Sequence, residues 1–144
     1  MEMTNIYPNK KIISTLKWLL LLLGGIMLTH CKHVDAFKQG KQLYQNNCAS
    51  CHMDDGTGLA ALIPPLAKSD FYQKNLKTIP CIIRNGLSDT ILVNGVQFSE
   101  KMEEFKKMSP ESMTNVINYI NHSWGNNLPD ITLKDVRLAL ENCQ

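Results

Sequence analysis

The sequence predicts a small all-α fold of four to five short helices, with an interior that its own side chains do not fill. Apolar residues recur three and four positions apart in several short stretches, as one face of a helix requires. Most of these stretches also carry a helix start or stop signal. The middle of the chain is loop chemistry instead ("DDGTG", "IPP"), which leaves core-forming residues scarce for a domain of this size.

In chain order, the first segment is a targeting signal. Lys10, Lys11 and Lys17 stand against the single acid Glu2, and the apolar run "WLLLLLGGIML" follows from Trp18 to Leu28. As a helix, eleven residues rise only about 16 Å, roughly half a bilayer core. A basic stretch before a short apolar one reads as an export signal, with an uncleaved N-terminal anchor as the alternative. Either way the remainder is expected outside the cytoplasm. The run ends in "LTHC", which resembles the lipobox of bacterial lipoproteins. That resemblance implies a lipidated Cys31 as the first mature residue and a membrane anchor. His30 departs from the pattern, because the preceding residue is normally small. Acyl chains contribute about 0.8 kcal/mol per buried methylene, enough to hold a multiply acylated chain on a membrane.

Residues 1–30 are thus expected to be signal, 31–35 a tether, and the remaining 114 or so residues from Cys31 one exported domain. The charge excess of +2 lies in the signal, and from Cys31 onward twelve basic residues balance twelve acidic ones. No basic stripe remains, so no nucleic-acid footprint is expected.

The first helix of the domain is predicted from near Val34, with Phe37, Gly40, Lys41 and Tyr44 at helical spacing up to Cys48. Ser69 is an N-cap for a short helix in "SDFYQKN", and "IPCIIRNGL" reads as another closed by Gly86. "ILVNGVQF" holds an Asn94–Gly95 turn and fits a small hairpin. The strongest helix starts at "SPES", with Ser109 as cap, Pro110 in the first helical position and Glu111 at the positive end of the dipole. Met113, Val116, Ile117, Ile120 and Trp124 form its apolar face, and "GNNLP" ends it. A last piece, "TLKDVRLALENC", carries Leu133, Val136 and Leu140 on one side.

The chemistry concentrates in "NNCASCHMDDGTG", where Cys48 and Cys51 stand three apart and His52 follows directly. A zinc site would want a second ligand pair, such as another C-x-x-C, and the chain has none. A thioredoxin-like dithiol would want a preceding strand and a βαβ pattern, whereas a helix leads in here. C-x-x-C-H is the attachment signature of c-type haem: two thioethers from Cys48 and Cys51, and an iron ligand in His52. One helical turn between the thiols matches the spacing of the two vinyl groups. Export agrees, and a haem would fill the interior.

With this motif the chain resembles the class I cytochromes c over Ala36 to Asn126, leaving 127–144 as a C-terminal helical extension. Gly40 and Tyr44 stand eight and four residues before Cys48, where the family has a glycine and an aromatic. Val116 and Tyr119 match the aliphatic and tyrosine that pack on the first helix. Pro64 and Leu66, twelve and fourteen residues past His52, match its proline and leucine. "PPLAKSD" and "YINHSWGN" look like bacterial members. The resemblance implies a small cytochrome c-like fold around one covalent haem c. Gly40 would permit a close helix crossing, and the Pro64 carbonyl would accept the second ring N–H of His52 and fix its orientation. Gly56 and Gly58 would let the loop fold tightly beside the haem edge.

In the family the sixth ligand is a methionine in the loop before the last helix, often as M-P-P-F; Met102 takes that place here, followed by Glu103, Glu104 and Phe105. The missing prolines lead to the expectation of a loop that is easier to displace. Met108 is the alternative, or the methionines merely cover the core and His122 or an open site takes over. His/Met ligation leaves no open coordination position, so the expected function is one-electron transfer, not catalysis. The rival is a haem enzyme or gas sensor with a labile sixth position. Partners would be redox proteins, a dehydrogenase or a terminal oxidase, at the periplasmic face or in the cell envelope. With Cys48, Cys51 and Cys31 assigned, Cys81 and Cys143 are left over. They are either bridged, clamping the extension onto the domain, or Cys81 is a buried free thiol.

Overall fold

The computed structural model describes residues 13–20 and 37–143, and the chain divides into two units, Met1–Val34 and Asp35–Gln144. In the first unit residues 13–20 are helical with exposed side chains. Among the described residues no helix is long and apolar enough to cross a membrane. Cys31, the 31–35 tether and the predicted helix start near Val34 lie outside the described residues.

The second unit is mostly helical, in the order α1 (Lys38–Asn47), α2 (Ala49–His52), α3 (Asp70–Lys74), α4 (Ile79–Asn85), β1 (Ile91–Val93), β2 (Val96–Phe98), α5 (Pro110–Asn121) and α6 (Leu133–Glu141). Its frame is the crossing of α1 on α5, and Gly40 makes that crossing close. A Cβ at Gly40 would lie 2.1 Å from the Asn115 carbonyl oxygen and 2.7 Å from the Tyr119 Cβ, so no larger residue fits without separating the helices. Beside it Tyr44 is fully buried, as are Met113, Val116 and Ile117 on the facing side of α5.

α5 begins as its sequence directs, with the Ser109 hydroxyl accepting from the Ser112 amide at 3.2 Å and Pro110 in the first turn. It ends earlier than the apolar spacing predicts, and Trp124 is not on its face. The last-turn carbonyls are taken by side chains: the Ser123 hydroxyl donates to Tyr119 O (2.6 Å) and the Asn126 amide to Ile120 O (2.8 Å). The chain then turns with Trp124 at φ +54°. Its ring lies 4.9 Å from that of Tyr44 and 5.6 Å from that of Tyr119. It occupies the space where Gly56 lacks a side chain, since a Cβ there would sit 2.4 Å from the indole.

Asn94 (φ +50°) and Gly95 (φ +81°) form the two-residue turn between β1 and β2, the geometry that Asn-Gly favours. The hairpin is fastened to α3 by paired bonds: Asn94 N–H to Asp70 Oδ1 (2.7 Å) and Asp70 N–H to Asn94 Oδ1 (3.0 Å). It turns Val93 and Phe98 into the interior.

Residues 127–143 share the core of the domain instead of trailing from it. The Asn118 side chain pairs with the Ile131 backbone in both directions (3.0 and 2.8 Å). Ile131 and Val136 are buried, and a Thr132–Asp135 capping box starts α6. Cys81 and Cys143 are joined in a disulfide that ties the end of the chain to α4.

Candidate functional site

α2 is one turn long and sets His52 on the wall of an apolar cavity. The break between α1 and α2 falls at Cys48, whose amide still bonds to Tyr44 O (2.8 Å) while its carbonyl accepts from both Cys51 and His52. One turn therefore carries all three motif residues. The other walls come from Pro64 and Leu66, from α3 and α4, from the hairpin, from residues 100–108 and from Val116 and Ile120 of α5.

His52 is half-buried, and its Nδ1 donates to the Pro64 carbonyl at 3.1 Å. A carbonyl can only accept, so this contact assigns the proton to Nδ1 and leaves the Nε2 lone pair free. Burial holds the imidazole below its ordinary pKa, with the Pro64 carbonyl partly opposing. The neutral, ligating form is therefore favoured. Pro64 is brought to this position by a tight loop. Gly58 (φ +73°) donates to His52 O (3.1 Å), and a Cβ on it would lie 2.3 Å from Ile63 O and 2.7 Å from Pro64 O. On the other side of the motif the Tyr44 hydroxyl donates to Met53 O at 2.6 Å. That bond fixes the chain as it turns away at Met53 (φ +61°).

The two thiols are free, Cys48 half-buried and Cys51 exposed. Burial, and then the neighbouring Cys51, pushes the Cys48 thiol up to about 11. A dithiol redox pair needs a thiolate stabilised well below the ordinary value, and this environment does the opposite. Among the described residues there is also no group of three His, Cys, Asp or Glu side chains able to hold a metal ion.

Met102 and Met108 both line the cavity and are half-buried; Met53, Met113 and His122 do not line it. Met113 is core, with no exposed surface. His122 stacks on Phe37 (4.7 Å between centroids), and its Nε2 pairs with Asp130 Oδ1 at 2.7 Å. The backbone of Met102 is held by two bonds to Leu87, N–H to O at 2.9 Å and O from N–H at 3.1 Å. The loop is thus fixed by a short β-bridge in place of the prolines it lacks.

Several supporting residues had no signal in the sequence. Asn126, readable there only as part of a helix stop, ties the Pro64 loop to the end of α5. It donates to Leu66 O (3.2 Å) and accepts from the Lys68 amide (2.6 Å). Tyr72 lines the cavity with its ring while its hydroxyl donates to Asn121 Oδ1 (2.9 Å), and Asn121 in turn donates to Pro129 O (2.7 Å). Among the described residues no buried side-chain nitrogen or oxygen lacks a partner. The cavity thus offers an apolar surface, one imidazole, two thioethers and two thiols at its edge. That donor set suits a large flat apolar ring carrying an iron and two addition sites for sulfur, while Asp89, Glu100, Lys101 and Glu103 add charged groups to the lining.

The sequence profile of the family described as cytochrome c matches residues 37–124. The cytochrome c subunit of the quinone-dependent alcohol dehydrogenase of Gluconobacter oxydans is 34% identical over 62% of this chain, but that match covers only 19% of the subunit's own length. Cytochrome c-552 of Thermus thermophilus is 29% identical, with 73% of this chain and 68% of that protein covered. The cytochrome c subunit of gluconate 2-dehydrogenase of Pantoea cypripedii is 31% identical over 71% of this chain and 24% of the subunit.

Proposed function

Because the chain belongs to the cytochrome c family and so is an electron carrier with covalent haem c rather than an enzyme, we propose that it carries its electron on a His52/Met102-ligated iron in a domain tethered to a membrane. The observation behind the ligand pair is that His52 and Met102 line the same apolar cavity, with the Nε2 of His52 left free by the Pro64 contact. When bound, the haem supplies a one-electron couple at its iron. Cys48 and Cys51 would hold it through thioethers. The Pro64 carbonyl orients His52 and strengthens it as a donor. The Met102 thioether favours the reduced state relative to a second imidazole. Ile79, Ile83, Phe98 and Val116 keep water from the interior. Cys51 is exposed, so the cavity edge beside it is where a partner comes within reach of the cofactor.

The test is the visible spectrum of the reduced holoprotein with and without carbon monoxide. A spectrum unchanged on mixing, with carbon monoxide binding only slowly thereafter, is the expected result, and a rapid shift would replace the carrier reading with an open or labile sixth position. The cofactor should also stay with the polypeptide through denaturation and acidic organic extraction.

The partner we favour is a dehydrogenase, because two of the relatives above are named as dehydrogenase subunits; a terminal oxidase is the alternative at the other end of such a chain. The tether would be acyl groups on Cys31 after export of the domain to the periplasmic face of a membrane or the cell envelope. Cys31→Ser is expected to move the haem protein from the membrane fraction to the soluble fraction. Retention of the variant on the membrane would assign anchoring to the uncleaved apolar segment.

A further inference from the structure

The segment that carries Met102 has no proline, and its hydrogen bonds converge on the end of α4. Met102 exchanges two backbone bonds with Leu87, and the Phe105 amide donates to Ile83 O at 2.9 Å. The Arg84 guanidinium donates to two further carbonyls, those of Lys106 and Met108, the latter at 3.0 Å. A basic residue in the last turn of a helix is ordinarily explained by the negative end of the dipole. The donors of Arg84, however, reach across to a different segment. The planar fork of arginine holds its donors on separate nitrogens in a fixed geometry, here one nitrogen to each carbonyl, whereas the three donors of an ammonium share a single freely rotating nitrogen. Arg84 is itself half-buried, so these bonds are only partly screened by water.

Resting on the Met102 reading above, we infer that Arg84 is a positioning residue for the axial methionine. The bridge to Leu87 fixes the segment at Met102, and the Ser109 cap fixes it at the start of α5. Between them, Arg84 holds the carbonyls of Lys106 and Met108 and prevents residues 103–108 from swinging away and drawing the thioether out of the cavity. The stiffness that prolines would supply covalently is supplied here by a side chain of the helix against which the segment lies.

The experiment compares Arg84→Gln, Arg84→Lys and Arg137→Gln holoproteins. Arg137 is an exposed arginine that pairs with Glu111 at 2.8 Å and controls for loss of a surface charge. The readouts are the rate of carbon monoxide binding to the ferrous protein, which reports how often the sixth ligand detaches, and the temperature at which the ferric sulfur-to-iron band is lost, compared with global unfolding. Loss of a charge-assisted bond on each carbonyl is expected to raise the carbon monoxide rate about tenfold in Arg84→Gln. The band should then disappear well below global unfolding. Arg84→Lys, with the charge but not the fork, should fall between, and Arg137→Gln should match the parent. A parental rate in Arg84→Gln, or a band lost only with global unfolding, overturns the inference. Persistence of the band in Met102→Ala would instead overturn the ligand assignment on which it rests.

Discussion

Met102→Ala is expected to abolish the weak charge-transfer band of ferric iron bound to sulfur, lower the reduction potential and let carbon monoxide bind the reduced protein. The direction of the potential follows from removing a thioether, the ligand that favours the reduced metal. Carbon monoxide then binds because no other side chain is placed to replace it quickly. His122 is occupied by Asp130 and Phe37 outside the cavity, and Met113 is sealed in the core. Met108 does line the cavity, but Arg84 and Phe105 hold its backbone in the turn that leads into α5. Met108→Ala should therefore leave the band in place. Loss of the band in Met108→Ala alone would transfer the assignment to Met108, and its survival in both variants would require a different sixth ligand. Removing the half-buried side chain should also destabilise the domain by about 2 kcal/mol, the low end for methionine truncation.

The segment of Met102 lacks the prolines of the family pattern but is hydrogen-bonded to residues 83–87. "MEEF" lacks the prolines that would stiffen the loop through the chain itself, and that absence is visible in sequence. The hydrogen bonds that hold the segment come from Leu87, Ile83 and Arg84, fifteen or more residues earlier. Gly86 contributes by having no side chain, because a Cβ there would lie 2.5 Å from Met102 O. A sequence read locally cannot pair those two stretches. The motif residues were legible because one helical turn carries them all, and local geometry suffices to bring Cys48, Cys51 and His52 together. Gly40 and Tyr44 were legible through fixed offsets from that motif. Asn126, Asn121 and Tyr72 were not, since an asparagine at a helix stop looks the same whether or not its amide reaches a loop sixty residues away. Trp124 failed in the opposite sense. Its spacing continues the apolar face of α5, but side chains of Ser123 and Asn126 capture the last carbonyls and stop the helix first. Periodicity records which residues are apolar, whereas the end of a helix is decided by which groups take its final carbonyls.

Replacing Cys143 by serine is expected to destabilise the holoprotein by about 4 kcal/mol while leaving the haem spectrum close to that of the parent. The bridge to Cys81 spans a sequence separation of 62. Closing a loop of that length in the unfolded chain is worth roughly 4 kcal/mol in the chain-entropy description. The folded state should survive, because α6 has other attachments: the two Asn118–Ile131 bonds, the buried Ile131 and Val136, and the capping box at Thr132. Denaturant unfolding at fixed pH measures the difference. The double variant Cys81→Ser, Cys143→Ser controls for any new pairing of the remaining thiol. Thiol titration of the denatured, unreduced holoprotein supplies the independent check, with none of Cys48, Cys51, Cys81 and Cys143 free in the parent and one free in Cys143→Ser. Two free thiols in that parent, or a loss of stability below about 1 kcal/mol, would mean that packing and not a covalent bridge holds α6 in place. An intermediate result is informative too. Cys81 lies in α4, three residues before Arg84, so a shifted sulfur-to-iron band in Cys143→Ser would show that the bridge acts on the ligand segment through the helix that carries both residues.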